Sequence, residues 1–333
     1  MSAESPLWIT EAEVVCMMDI GGAIGALERG LMAEAKGSAH NMIKTHVEWD
    51  GSTLHAIGAV FPEIGICGTK TWTHTKGGAT PLLVLFDAHN GSLKAVIEAF
   101  ALGQMRTAAA SGVATRWLAA PDAEEFAMIG TGKQAITQVA AVLAVRPVRR
   151  ILVFSRDEGR RTRFVELLRD TFEVEVENCL SVEEAVANAS IITLATRATD
   201  PILSSDMVQR GAHINSVGAI VPSRAEVSQD ILARSTQMVT DSVPQAQKLS
   251  REMIEFFGQE PNNWASVQPL CSVVAEQRSR AASDDLTLFK ALGVGISDLS
   301  LGIELYRQAL ISGLGTRLSA PQRLAPRLSG MVV

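Results

Sequence analysis

Along the chain, apolar and polar positions follow two different rhythms. Between Lys44 and Val96, short alternating stretches ("KTHVEW", "TLHAIGAVF", "GICGTKTWTHT", "PLLVLFD") are punctuated by "DG", "GG" and "NG". That pattern predicts a mostly antiparallel sheet built of hairpins. From Phe126 the rhythm becomes strand, helix, strand. "FAMIG", "RILVFS", "VEVE", "IITLAT", "AHINSVGA" and "QMVTDS" read as six strands, linked by helices such as "QAITQVAAVLAV", "RTRFVELLRD", "SVEEAVANA" and "SDMVQR". Short apolar strands joined by helices predict a parallel, doubly wound sheet covered on both faces.

Helix signals surround these two regions. Thr10 and Glu13 in "TEAE" form a capping box. Ile24, Leu27 and Leu31 share one face of a helix through "GALERGLMAEAKG", with Gly37 at its C-terminal cap. "TAAASGVATRWLA", from Thr107 to Ala119, is a helix of small residues that Pro121 closes. The last helix, "SDLSLGIELYRQALISGL", has no strand after it and is free to return over the N-terminal sheet.

Composition narrows the function classes. A chain of 333 residues, 47% hydrophobic and 20% charged, predicts two domains with sizeable cores. A formal charge of −6 and the lack of a Lys/Arg stripe argue against nucleic acid as a partner. "RPVRR", Arg146 to Arg150, reads as a solvated turn between helix and strand. The four cysteines, Cys16, Cys67, Cys179 and Cys271, show no paired spacing and read as buried thiols; the six histidines show no metal-ligand pattern. No metal and no membrane partner are expected. The N-terminus has no signal-peptide pattern, so a cytoplasmic location is expected.

The chemistry starts at "AMIGTGKQA". Gly130 makes a tight turn after an apolar strand, Gly132 lets backbone amides approach a pyrophosphate, and Ala135 permits close helix–strand packing. A phosphate would then sit on a helix N-terminus, where free N–H groups and the dipole favour an anion. The alternative is a tight turn that binds nothing. The next strand, "RILVF", ends in Ser155-Arg156, with Asp157 one step later than an NAD-type acid. Arg156 suits a 2′-phosphate and Ser155 a further hydrogen bond, which favours NADP(H). If Asp157 instead reaches the ribose, NAD(H) is the cofactor.

Hydride transfer needs a partner held against the nicotinamide, and the N-terminal half offers Lys44, Lys70 and Arg106 as cations. Arg106 in "GQMRTAAASG" directly precedes the predicted helix start. There guanidinium, free N–H groups and dipole would jointly bind a carboxylate or phosphate. Trp72, beside Lys70, is read first as a packed sheet residue and second as a pocket wall.

"GQMRTAAASGVATRWLA", then "AMIGTGKQA", "FSRD", "INSVGAIVPSRAEV" and "LFKALGVGISDLSLGIELYRQA", in this order, resemble the ornithine cyclodeaminase/mu-crystallin family. The resemblance implies a Rossmann domain, residues 119–303, inserted in a substrate-binding and dimerisation domain of residues 1–118 and 304–333. It also implies a homodimer and a small-molecule imine or amino-acid substrate. Lys70 matches a family lysine that contacts substrate, Arg106 an arginine that binds substrate carboxylate or cofactor, and Lys44 a position where many members have arginine. Thr107, Thr131, Lys133, Gln134, Thr196, Val217, Gly218, Arg224 and Leu292 join Gly130, Gly132, Ser155 and Arg156 on the cofactor.

One residue departs from the family's cyclodeaminases. Two positions after Gly218 they carry an aspartate; here stands Ile220. Cyclodeamination needs a general acid/base beside the reacting nitrogen, which isoleucine cannot supply. Reducing a preformed imine asks mainly for orientation and charge placement. The expectation is therefore an NAD(P)H-dependent reductase of ketimines such as Δ1-pyrroline-2-carboxylate or Δ1-piperideine-2-carboxylate, giving L-amino acids. The alternatives are an ornithine/lysine cyclodeaminase or amino-acid dehydrogenase with a displaced base, or a crystallin-like binding protein without turnover. Glu226, read as a helix start, and His74, read as loop, are the candidate displaced acids.

Overall fold

Asp50 and Gly51 both take left-handed backbone conformations, with φ of 44° and 73°. They close the hairpin between strands Thr45–Trp49 and Ser52–Phe61, as the "DG" signal predicts. The computed structural model describes residues 5–328. Ser52–Phe61, Ile66–His74, Leu82–Asp87 and Leu93–Glu98 continue as an antiparallel meander. Leu7–Ile9 joins Leu93–Glu98 in parallel, and Thr316–Arg317 adds an antiparallel edge to Leu7–Ile9. The final helix is thus followed by a strand after all; two residues are too short to leave a periodic signal.

Helices Ile20–Ala35, Phe100–Leu118 and Gly295–Ser312 pack with this sheet. Ile24, Leu27, Val113, Leu299 and Leu305 share one core with Leu83, Leu85 and Ile97. The contact is close where side chains are missing: a Cβ on Gly295 would stand 1.9 Å from the Gly58 carbonyl oxygen. Gly295→Ala is therefore expected to cost about 2 kcal/mol or more by forcing the last helix off the sheet. A lower urea midpoint at unchanged m-value is the measurement that checks it.

The second sheet is wholly parallel. Its strands are Glu125–Ile129, Arg150–Phe154, Glu175–Asn178, Ile191–Leu194, His213–Ser216, Ser235–Thr240, Val267–Pro269 and Leu286–Lys290. Their spatial order is 3-2-1-4-5-8-6-7. Between strands 1 and 4 the winding reverses, which opens a crevice at their carboxyl ends. Two of the eight strands escape the sequence pattern. Leu286–Lys290 is buried on both faces, so it neither alternates nor shows turn residues at its edges, and its terminal lysine reads as surface.

Other local expectations change. "SDMVQR" forms only the 3₁₀ turn Ser205–Met207. Of the cysteines, Cys179 is buried but Cys16 is exposed on a short helix that buries only Val14. Arg146 is not a solvated turn residue: it donates to the carbonyls of Arg116 and Ala119 at 2.6 and 2.9 Å, capping the end of the Phe100–Leu118 helix. Among the described residues, no helix is long and apolar enough to cross a membrane.

Candidate functional site

The glycine loop lies at the reversal point of the parallel sheet. Gly130 has φ of +105°, and a Cβ there would fall 2.5 Å from the Ala195 carbonyl oxygen, so no other residue fits. Gly132 is the opposite case: a Cβ would meet nothing within 4 Å, which leaves the loop open to a ligand. Helix Ala135–Leu143 follows, with Ala135 fully buried against the strand. Among the described residues, the backbone N–H groups of Thr131 to Gln134 find no acceptor. The buried Gln134 Oε1 is also without a partner. Free donors on an open, glycine-shaped turn fit a pyrophosphate.

A cavity of about 1010 Å³ runs past this loop. At one end lie Ser155, Arg156, Asp157 and Arg160. Asp157 caps helix Glu158–Thr171: its carboxylate accepts from the Arg160 N–H at 2.9 Å and meets the Arg160 guanidinium at 3.3 Å. That carboxylate is held by its own helix start and by Arg160. Arg156 is exposed to the cavity, and Ser155 Oγ accepts from Thr131 Oγ1 at 3.1 Å.

Towards the other end, the loops after Ile191–Leu194 and His213–Ser216 bring Thr196, Val217, Gly218, Ile220 and Arg224 to the wall. Glu226 sits behind them, fully buried, as an acceptor for both loops. It is not a helix start, because the next helix is Gln229–Arg234 with Ser228 at its cap. His74 ends the strand Ile66–His74 and is exposed, away from the cavity lining.

The cations converge at the far end. Lys44, Arg106, Thr107 and Trp72 line the cavity together with Ile57, Asp241 and Leu292. Lys70 lies beneath, 4% exposed, where its Nζ donates to Asp298 Oδ1. Arg106 Nε stands 3.4 Å from the same Asp298 oxygen. Burial pushes the Lys70 ammonium down to about 8, against the pull of Asp298. Lys44 is lowered by burial and then by Arg106. Asp241 is raised by burial; its carboxylate accepts from the Leu292 and Gly293 N–H groups, at 3.0 and 2.6 Å. With every group ionised, three cations against two carboxylates leave one positive charge, suited to a single carboxylate.

The geometry of Arg106 departs from expectation. Its helix begins at Phe100, so Arg106 lies in the second turn and its neighbouring N–H groups are already bonded. The true helix start is taken by Glu11, whose carboxylate accepts from the N–H groups of Phe100 and Ala101. Arg106 therefore brings its own charge and no helix terminus. Trp72 is both a packed sheet residue and a cavity wall: it shares a strand face with Lys70, and its indole stacks on the cross-strand His55 at 4.7 Å. Asp241 and Asp298 escape a reading of the sequence. Asp298 looks like an ordinary first-turn acid of the last helix. Asp241 does carry a signal, as an acid directly after a parallel strand.

The sequence matches the model of the ornithine cyclodeaminase/mu-crystallin family over residues 7–312. It is 30% identical over 273 residues to Δ1-pyrroline-2-carboxylate reductase from Bacillus cereus, covering 80% of this chain and 81% of that one. Ketimine reductase mu-crystallin from Mus musculus is 31% identical over 217 residues, covering 65% and 66%. The solved Δ1-pyrroline-2-carboxylate reductase of Thermococcus litoralis, in complex with NADH and L-proline, superposes with a TM-score of 0.86 at 26% identity; the match covers 94% of this chain and all of that one.

Proposed function

The chain belongs to the ornithine cyclodeaminase/mu-crystallin family, and from that premise we propose that it is an NAD(P)H-dependent ketimine reductase that forms L-amino acids. Δ1-Pyrroline-2-carboxylate and Δ1-piperideine-2-carboxylate are its first candidate substrates. The observation that carries this reading is the far end of the cavity: a cationic cluster built for one carboxylate, in a cavity whose wall also carries the apolar Ile220. Lys44 and Arg106 bind the carboxylate directly, and Lys70 supplies charge from beneath. Ile57, Trp72 and Ile220 enclose the hydrocarbon part of the substrate and keep water from the reacting carbon. The residues around Gly130 to Gln134 would hold the dinucleotide, which when bound supplies hydride from nicotinamide C4. Ile220 offers no acid/base on the cavity wall, while Asp241 accepts from the Leu292 and Gly293 N–H groups and Asp298 from Lys70, which argues against cyclodeamination.

The test is to follow oxidation of reduced cofactor with both imines and, separately, ammonia release from ornithine. Turnover of the imines supports the reading; ammonia release without imine reduction overturns it.

On the cofactor, the commitment of Asp157 to its helix supports NADP(H) over NAD(H). Arg156→Ala is expected to raise KM for NADPH about thirtyfold, by loss of a charge-assisted phosphate contact, and to leave KM for NADH within about twofold. Steady-state kinetics with the two cofactors decides it. The expected division places the dinucleotide domain at residues 119–303, but the helix Gly295–Ser312 packs whole on the N-terminal sheet, so we take it with the substrate and dimerisation domain from Gly295 onward. Exposed Val47, Trp49 and Leu54 on the N-terminal sheet, with exposed Ile43 just before its strand Thr45–Trp49, support a homodimer formed there.

A further inference from the structure

Glu226 accepts five hydrogen bonds and makes none to solvent. Oε1 takes the N–H and hydroxyl of Thr196 at 2.8 and 2.9 Å. Oε2 takes the Ser216 hydroxyl at 3.0 Å and the N–H groups of Gly218 and Ala219 at 2.8 and 3.2 Å. One buried carboxylate thereby ties together the two loops that line the cavity between the glycine turn and the cationic end. The packing leaves no slack. A Cβ at Gly218 would stand 2.1 Å from the Thr196 carbonyl oxygen and 2.5 Å from Glu226 Oε1.

Its electrostatic surroundings are equally specific. Lys290, 1% exposed, donates to Ser216 Oγ at 3.0 Å and to Glu252 Oε1 at 3.1 Å. Glu252, also buried, accepts from the Glu226 backbone N–H at 2.9 Å and from Ser250 Oγ at 3.1 Å. Burial pushes the Glu226 carboxyl up, and Lys290 with the surrounding N–H groups pulls it back. All five groups on its oxygens are donors, so the ionised form is the one this shell is shaped to hold. Glu226 and Glu252 thus share the single ammonium of Lys290, and with every group ionised the network carries one negative charge.

We propose that Glu226 is a positioning residue for hydride transfer: it fixes the two loops that line the cavity between the glycine turn and the cationic end, where a nicotinamide would lie, and places a negative charge behind those loops. The inference rests on the dinucleotide reading given above. Hydride loss turns a neutral dihydropyridine into a cationic pyridinium, so a fixed anion nearby favours the oxidised product and makes the reduced cofactor the stronger donor. The fold thereby biases the chain towards reduction, through a residue that touches neither substrate nor reacting carbon.

The test compares Kd for NADP+ with Kd for NADPH in the purified protein, by NADPH fluorescence and by competition. Glu226→Gln removes one negative charge, and the ratio of oxidised to reduced Kd is expected to rise about tenfold. Lys290→Gln removes one positive charge from the same network, and the ratio is expected to fall. A purely structural role moves both Kd values together, or moves the ratio the same way in both variants; either result overturns the proposal. If one variant fails to fold, the sign of the shift in the other decides. Absence of dinucleotide binding by the wild-type protein would sink the functional reading itself, whereas binding with an unmoved ratio sinks only this inference.

Discussion

Replacing Lys70 with methionine is expected to lower kcat for imine reduction about a thousandfold, while Kd for the reduced dinucleotide stays within about twofold. The size follows from what is lost. Lys70 is an almost fully buried ammonium at the base of the carboxylate site, where low dielectric makes one fixed charge worth several kcal/mol of orientation and charge stabilisation. Methionine keeps the length and volume of the stem, so the sheet around Trp72 stays packed. Asp298 then faces Arg106 alone, and the positive charge that matches the substrate carboxylate is gone. The glycine loop lies on the other sheet and does not touch Lys70, which is why cofactor binding is spared. Single-turnover absorbance at saturating imine gives the rate, and fluorescence titration gives the affinity. A kcat within threefold of wild type would remove Lys70 from the mechanism.

Asp298→Asn is expected to cost about 3 kcal/mol of stability and to shift the pH profile of the enzyme that remains. Asp298 is fully buried and faces two cations, so removing its charge leaves both uncompensated in the interior. Chemical denaturation measures that loss. The pH effect has a definite sign. Lys70 is held down by burial to about 8 and held up by Asp298. In the wild type kcat/KM is therefore expected to fall about tenfold per pH unit above that value, as the ammonium proposed to hold the carboxylate is lost. Without Asp298 the upward pull disappears, and the alkaline limb moves to lower pH. A limb that stays in place would show that some other group sets it.

Much of the architecture is legible in the residue pattern, because local rules and the final fold agree there. The "DG" hairpin, the capping box at Thr10 and Glu13, and the glycine turn at Gly130 each state their own geometry. The proposed dinucleotide side of the cavity is equally plain, since its residues follow the carboxyl ends of neighbouring parallel strands. Legibility fails where a charge is buried. Lys290 disguises a central strand, Asp298 passes for a helix-start acid, and Glu226 sits in a loop whose two neighbours lie at residues 196 and 218. These groups are defined by partners far away in sequence, and periodicity carries no information about them. Arg106 shows the converse failure. The small-residue run marks the buried middle of its helix, whereas the start lies about two turns earlier, held by Glu11.

The strand Leu7–Ile9 lies between Leu93–Glu98 and the late strand Thr316–Arg317, while the helix Gly295–Ser312 fills the face of the sheet behind it. A chain emerging from the ribosome therefore has its parallel sheet complete once residue 290 is out, but its N-terminal sheet stays open until Gly295–Ser312 and Thr316–Arg317 have followed. The half synthesised first is the half finished last, and its exposed strands must wait throughout for a cover encoded some two hundred residues downstream of them.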